Sequence, residues 1–233
     1  MDGIKLAVGV LTCNRFEYTL KTVKSFTDLH WTDLKEYGGT FEMYYLDDAS
    51  TDQKVCDLMD SWEITPIAKH KRMKGCSPST DELLNGIHDR TDAPYTLYLQ
   101  NDFECVDILP MKDIDNLFKK NPDIAAVRLF HDFKDEAHKV PVSKVNLTDQ
   151  THPSAIWTPC TPYFEVASIH WGLNPIIMRT ELIPKVYKGI KKEADTFPRQ
   201  GALNMKCART LKNYFYHIGA KKTPNGRWGR PRS

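Results

Sequence analysis

Two apolar stretches of this chain end in carboxylates. Tyr44-Tyr45-Leu46 runs into Asp47-Asp48-Ala49-Ser50-Thr51-Asp52, and Tyr95-Thr96-Leu97-Tyr98-Leu99-Gln100 runs into Asn101-Asp102-Phe103-Glu104. A short buried strand with acids at its carboxyl end sets them at the crevice where open α/β sheets bind ligands. Carboxylates there accept hydrogen bonds from ligand hydroxyl and N–H groups. Taken alone, the first stretch also reads as a polar turn in which Ser50 or Asp52 caps the next helix. A third polar loop, Thr12-Cys13-Asn14-Arg15, follows the apolar run Leu6-Ala7-Val8-Gly9-Val10-Leu11.

Several chemistries are excluded by what these loops lack. No G-x-x-x-x-G-K-[ST] phosphate loop is present, and the first strand has no glycine fingerprint after it. A serine hydrolase would need G-x-S-x-G after a strand, which is also absent. The six cysteines, at 13, 56, 76, 105, 160 and 207, form no C-x-x-C pair, so zinc and dithiol redox chemistry are not indicated and reduced thiols are expected.

The elements that must hold these loops alternate. Residues 6–11 read as a strand buried on both faces, and 16–26 as a helix with Phe16, Leu20, Val23 and Phe26 on one side. A strand at 41–46, a helix at 53–62 and a short strand at 64–68 follow. The basic stretch Lys69-His70-Lys71-Arg72-Met73-Lys74-Gly75 is read as a loop, and 80–87 as a helix. Beyond the strand at 95–100, a helix is expected at 111–120 and a strand at 124–130. Residues 131–162 are irregular, and long irregular stretches of that kind are usually functional loops or lids. An extended segment at 172–178, helices at 181–190 and 201–212, and an aromatic strand at 213–217 complete the reading.

This βαβα order predicts one α/β domain with a mostly parallel central sheet flanked by helices. A chain of 233 residues can bury a full core of that kind. The formal charge of +2 is unevenly spread, because residues 219–233 carry Lys221, Lys222, Arg227, Arg230 and Arg232 and no acid. No apolar run is long enough to span a bilayer and the opening residues lack a signal-peptide pattern, so a cytoplasmic location is expected. Asn146-Leu147-Thr148 matches a glycosylation acceptor pattern but is assigned no role.

In order and spacing, Thr12-Cys13-Asn14-Arg15, Asp47-Asp48-Ala49-Ser50-Thr51-Asp52 and Asn101-Asp102-Phe103-Glu104 resemble the nucleotide-sugar half of family 2 glycosyltransferases with the GT-A fold. The family pattern is a T-x-N-R loop, a D-D-x-S-x-D turn and a later D-x-D metal motif. The resemblance extends to Trp171-Gly172-Leu173-Asn174-Pro175-Ile176-Ile177-Met178-Arg179, which looks like the acceptor-side G-x-x-x-x-x-R segment. It reaches Tyr216-His217-Ile218-Gly219, which looks like the late metal-binding histidine. It divides the chain into a nucleotide-sugar half at 1–105, an acceptor half at 106–218 and a basic tail at 219–233.

The resemblance implies transfer of a sugar from a UDP-sugar to a hydroxyl acceptor, with inversion, aided by Mn²⁺ or Mg²⁺. Thr12, Asn14, Arg15, Asp47, Asp48, Lys74 and Asn101 would contact the donor, with Asp47 and Asp48 accepting from the uracil N–H or the ribose hydroxyls. The basic segment with Lys71, Arg72 and Lys74 reads either as one that closes on the diphosphate or as a solvated charge run. Asp102 and His217 would hold the cation, since a metal site near a polyanionic diphosphate needs carboxylate and imidazole donors. This chain departs from D-x-D, having Gln100-Asn101-Asp102, so Glu104 is the alternative second acid. Asp195 is the preferred base for the acceptor hydroxyl, with Glu193 beside it, and helix capping is the alternative role for the pair; Trp171, Gly172 and Asn174 would meet the acceptor.

The acceptor stays open among glycan, protein and small molecule. The basic tail, with Trp228 inside it, adds the alternative of DNA carrying a hydroxymethylated base. A nucleotidyltransferase would have a glycine-rich first loop, which Thr12-Cys13-Asn14-Arg15 is not. A non-catalytic nucleotide-sugar or nucleic-acid-binding module is the remaining reading.

Overall fold

Strand β1 (Lys5–Thr12) forms because LAVGVL is apolar without a break, and the structure buries it on both faces. In this computed structural model, residues 3–36, 39–129, 157–168 and 175–218 are described. Parallel neighbours β2 (Thr40–Asp47) and β4 (Tyr95–Gln100) flank β1, and β3 (Thr65–Lys69) pairs with β2. Their carboxyl ends therefore share one edge of the sheet. Thr12 and Asp47 are direct register partners there, and Leu11 partners Gln100.

The second half extends the same sheet. Its nine strands run in the order β3-β2-β1-β4-β9-β6-β10-β8-β7, with β6 (Ile124–Arg128), β7 (Thr158–Thr161), β8 (Phe164–Ala167), β9 (Ile176–Arg179) and β10 (Lys206–Thr210). Strands β9 and β8 run against the others. A separate two-stranded ribbon joins β5 (Phe103–Cys105) to β11 (Phe215–His217).

Helices cover both faces, each through its apolar stripe. On one face α1 (Phe16–Glu36), α2 (Gln53–Ser61) and α4 (Met111–Lys120) contribute Val23, Phe26, Met59, Ile114 and Phe118 to a shared core. On the other, α3 (Cys76–His88) and α5 (Ile183–Val186) contribute Leu83, Leu84, Ile87, Ile183 and Val186. The mixed α/β class with a large, mostly parallel sheet between helices is as expected. No helix among the described residues is long and apolar enough to cross a membrane.

Several elements differ from the expectation. The first helix runs on to Glu36, since no glycine or proline interrupts it before residue 38. Its His30 is fully buried, with Nδ1 2.9 Å from Phe26 O and Nε2 accepting from Leu109 N at 2.9 Å. The helix expected at 80–87 begins at Cys76, where Gly75 takes φ +94. Only four residues of 181–190 are α-helical, after a 3-10 turn at Thr180–Leu182.

The helix expected at 201–212 is a correction: α6 spans Thr196–Leu203, Asn204 turns left-handed at φ 49, and β10 follows. Its position between β6 and β8 gives the physical reason, because the small residues Cys207 and Ala208 fit there fully buried. Arg209 is buried too, bound to Glu165 at 2.7 Å and lying 4.1 Å from the Trp157 ring centre. The irregular 131–162 region yields β7 at its end, and its other described residues make no helix or strand. Its residues 131–156, with Asn146, lie outside the described residues, as do Trp171, Gly172, Asn174 and the basic tail with Trp228.

Candidate active site

Where β1 and β2 end together, the sequence builds a tight polar knot. Thr12 donates its hydroxyl to Asp47 Oδ1 at 2.9 Å, and Asp47 Oδ2 accepts from Ser50 N at 2.8 Å. Asn14, Arg15 and Ala49 all adopt left-handed backbone, with φ of 52, 60 and 62. Such turns are held only by surrounding contacts. Asn14 provides them: its N–H donates to Ser50 Oγ at 2.6 Å, and its Oδ1 accepts from Thr51 N at 2.8 Å and Thr51 Oγ1 at 3.1 Å. Asn101 Nδ2 in turn donates to Asn14 O at 2.9 Å and Thr19 Oγ1 at 3.0 Å. Asn14 and Asn101 thus use their amides within the framework of the loops. A cleft of about 300 Å³, lined by Arg15, Phe16, Tyr18, Asp52 and Lys54 among others, opens beside this knot.

Both carboxylates of the acidic turn are buried. Asp48 Oδ1 accepts from Lys74 N at 2.8 Å and lies 2.9 Å from His70 Nδ1, while Oδ2 accepts from Gly75 N at 2.9 Å. Burial pushes the Asp48 carboxyl up, but these donors outweigh it and hold it below its ordinary value. The turn therefore clasps the basic loop. Ser50 does not cap the next helix; Asp52 does, accepting from Lys54 N at 3.1 Å.

Asp102 follows β4. Its Oδ2 meets Arg15 Nη1 at 2.9 Å and His217 Nε2 at 3.2 Å. Its Oδ1 is buried with no hydrogen-bond partner among the described residues. The ribbon makes this meeting possible, since His217 pairs with Phe103 across it, stacks on the Phe103 ring at 4.7 Å, and Ile218 N donates to Asp102 O at 2.9 Å. Glu104 instead pairs with Lys21 of α1 at 2.8 Å. Among the described residues no three His, Cys, Asp or Glu side chains converge as a metal cluster. The Asp102 and His217 pair, with an unspent buried oxygen, still fits Mg²⁺ or Mn²⁺ of the kind that takes one or two protein donors and completes its shell with substrate phosphate and water.

The two acids proposed for the acceptor side separate in role. Asp195 Oδ2 accepts from Lys191 N at 2.9 Å and Lys192 N at 3.1 Å, closing the turn before α6, and those backbone donors hold its carboxyl below the ordinary range. The charges of Glu193 and Asp102 both reach the Cys76 thiol, which burial first and these carboxylates next push up. Cys76 stands at the start of α3, with Gln100 Nε2 3.6 Å from its sulfur. Arg179, the last residue of the acceptor-side segment, is occupied elsewhere. It donates to Phe118 O at 2.6 Å, Asn121 O at 3.2 Å and Ile124 O at 2.8 Å, capping α4 and joining it to β6.

Sequence reasoning passed over His70 and Cys76. The signal for His70 was its position, one uncharged-capable ring inside a run of lysine and arginine. Cys76 offered none, because a lone cysteine at a helix start has no spacing to read.

No family model matches the chain, and no curated protein sequence does. Solved structures do match. S. aureus TarS 1–349 superposes with a TM-score of 0.57 at 17% identity, covering 93% of this chain and 61% of that one. TarS 1–349 in complex with UDP gives 0.56 at 16%, with 91% and 60% covered. The complex with UDP-GlcNAc gives 0.57 at 15%, with 94% and 62% covered. This chain thus spans about three-fifths of the TarS 1–349 length. The likeness is one of architecture, and the chain carries the mixed α/β GT-A fold.

Proposed function

We propose that this protein transfers a sugar from a UDP-sugar to a hydroxyl acceptor. The observation that carries this reading is the convergence of three strand-end loops on one sheet edge: Arg15 and His217 meet on Asp102, beside a buried Asp47 and Asp48 turn. Structures of its fold neighbour TarS with UDP and UDP-GlcNAc support a nucleotide-sugar donor.

Thr12, Asn14, Arg15, Asp47, Asp48, Lys74 and Asn101 shape the donor pocket, with unspent acceptor capacity at the two Oδ2 atoms available to the nucleoside. Asp102 and His217 would hold Mn²⁺ or Mg²⁺, which when bound would offset negative charge on the departing diphosphate. Glu193 takes the proton of the acceptor hydroxyl as its oxygen bonds to the anomeric carbon and the bond to UDP breaks, giving inversion. Asp195 supports that turn. Trp171, Gly172 and Asn174 meet the acceptor.

The test is incubation with a panel of UDP-sugars, with and without Mn²⁺, and pooled acceptors that include glycans, proteins and hydroxymethylated DNA, read by mass spectrometry. UDP release is expected and should fall at least about 100-fold in D102N. Turnover independent of metal and unchanged in D102N would reject the roles given to Asp102 and His217. UDP binding without transfer to any acceptor would favour a binding module.

A further inference from the structure

One buried histidine takes no part in the chemistry above. His70 lies just past β3, its N–H donating to Asp47 O at 2.9 Å and its side chain only 7% exposed. Its Nδ1 is 2.9 Å from Asp48 Oδ1 and its Nε2 is 2.9 Å from Glu82 Oε2 on α3. A neutral imidazole donates from one nitrogen only, so the imidazolium is the form that satisfies both carboxylates. Glu82 also holds Lys74 Nζ at 2.8 Å, and Asp48 holds the Lys74 and Gly75 amides. The same two acids thus fix both ends of the segment that carries the exposed Lys71 and Arg72.

We propose that His70 is a positioning residue, a latch between the acidic turn and α3 that holds segment 71–74 ready as an anion contact for the donor diphosphate. This rests on the UDP-sugar reading. A loop ordered beforehand removes an entropy cost from binding, which is how a residue that never touches the ligand raises affinity. The ligand chemistry it serves is the diphosphate, not the base.

Hydrogen exchange of the unliganded protein and calorimetric titration with UDP and with uridine test the latch in H70Q and E82Q. Glutamine at 70 can donate to one carboxylate but not both. Glutamine at 82 lets a neutral His70 keep both contacts, its amide donating to Nε2. In H70Q the Lys74 and Gly75 amides should exchange at least about tenfold faster than in the wild type, and in E82Q within about threefold of it. UDP affinity should fall about tenfold in H70Q and uridine affinity less than about threefold.

Unchanged exchange in H70Q, or faster exchange spread equally through β1 and β4, overturns the latch. Equal losses for UDP and uridine overturn its diphosphate role. A wild type that binds no UDP defeats the donor reading and the diphosphate role with it, while the exchange comparison still decides the latch.

Discussion

Glu193 and Asp195 are two residues apart and carry different roles in the proposed reaction. Asp195 is committed to Lys191 and Lys192 amides, an arrangement that gives shape to a turn. D195N should lower stability, measured by denaturant titration, and leave kcat within a few-fold of wild type. E193Q should instead lower kcat at least about 100-fold with donor KM little changed, because only proton removal is lost. The reverse pattern would return the base to Asp195. The sequence reading prefers Asp195, but both types suit either role, and which backbone amides lie near Asp195 is visible only in the structure. The same holds for Asn14. Its place in T-x-N-R was legible, but not that its amide would be spent on Thr51 and Ser50.

The donor-side elements were legible because β1, β2 and β4 are continuous apolar runs closed by polar turns, a pattern with few other meanings. Strand β10 was not, because its core residues are small and its Arg209 is matched by Glu165, distant in sequence. Packing between elements was equally hidden. A Cβ on Gly9 of β1 would lie 2.5 Å from Ile87 Cδ1 and 3.5 Å from Leu83, so side chains of α3 fill the space beside Gly9. G9A should cost about 1–3 kcal/mol by overpacking. I87V removes the offending atom, so G9A/I87V should be less unstable than the two single losses added together, as read from paired denaturation curves. Because α3 carries Glu82 and Cys76, G9A should also weaken UDP binding.

At the scale of the whole molecule, stability should respond to acid through the carboxylates that the fold holds ionised. Asp48 is the buried one, opposed by burial but won by His70 and the Lys74 and Gly75 amides. Its folded-state value lies below the unfolded one, so its contribution is complete above the unfolded value of 3.8 and is lost as pH falls through the folded value. Asp107 and Asp123, held down by Lys212 and Lys206, are exposed and add little. The melting temperature should therefore be level near neutrality and drop below about pH 4. D48N should melt lower than wild type at pH 6 and approach it at pH 3. A gap between the two that stays constant with pH would mean that Asp48 acts by shape and not by charge.

The ribbon that brings His217 to Asp102 joins positions 115 apart in the chain. Closing so long a loop is entropically slow compared with pairing neighbours such as β1 and β2. During synthesis, the nucleotide turn and the basic loop can be complete while β11 is still in the ribosome, leaving Asp102 without its imidazole. The last described strand thus acts as a timing device: the protein gains its Asp102–His217 pair only after nearly all of the described chain has been made.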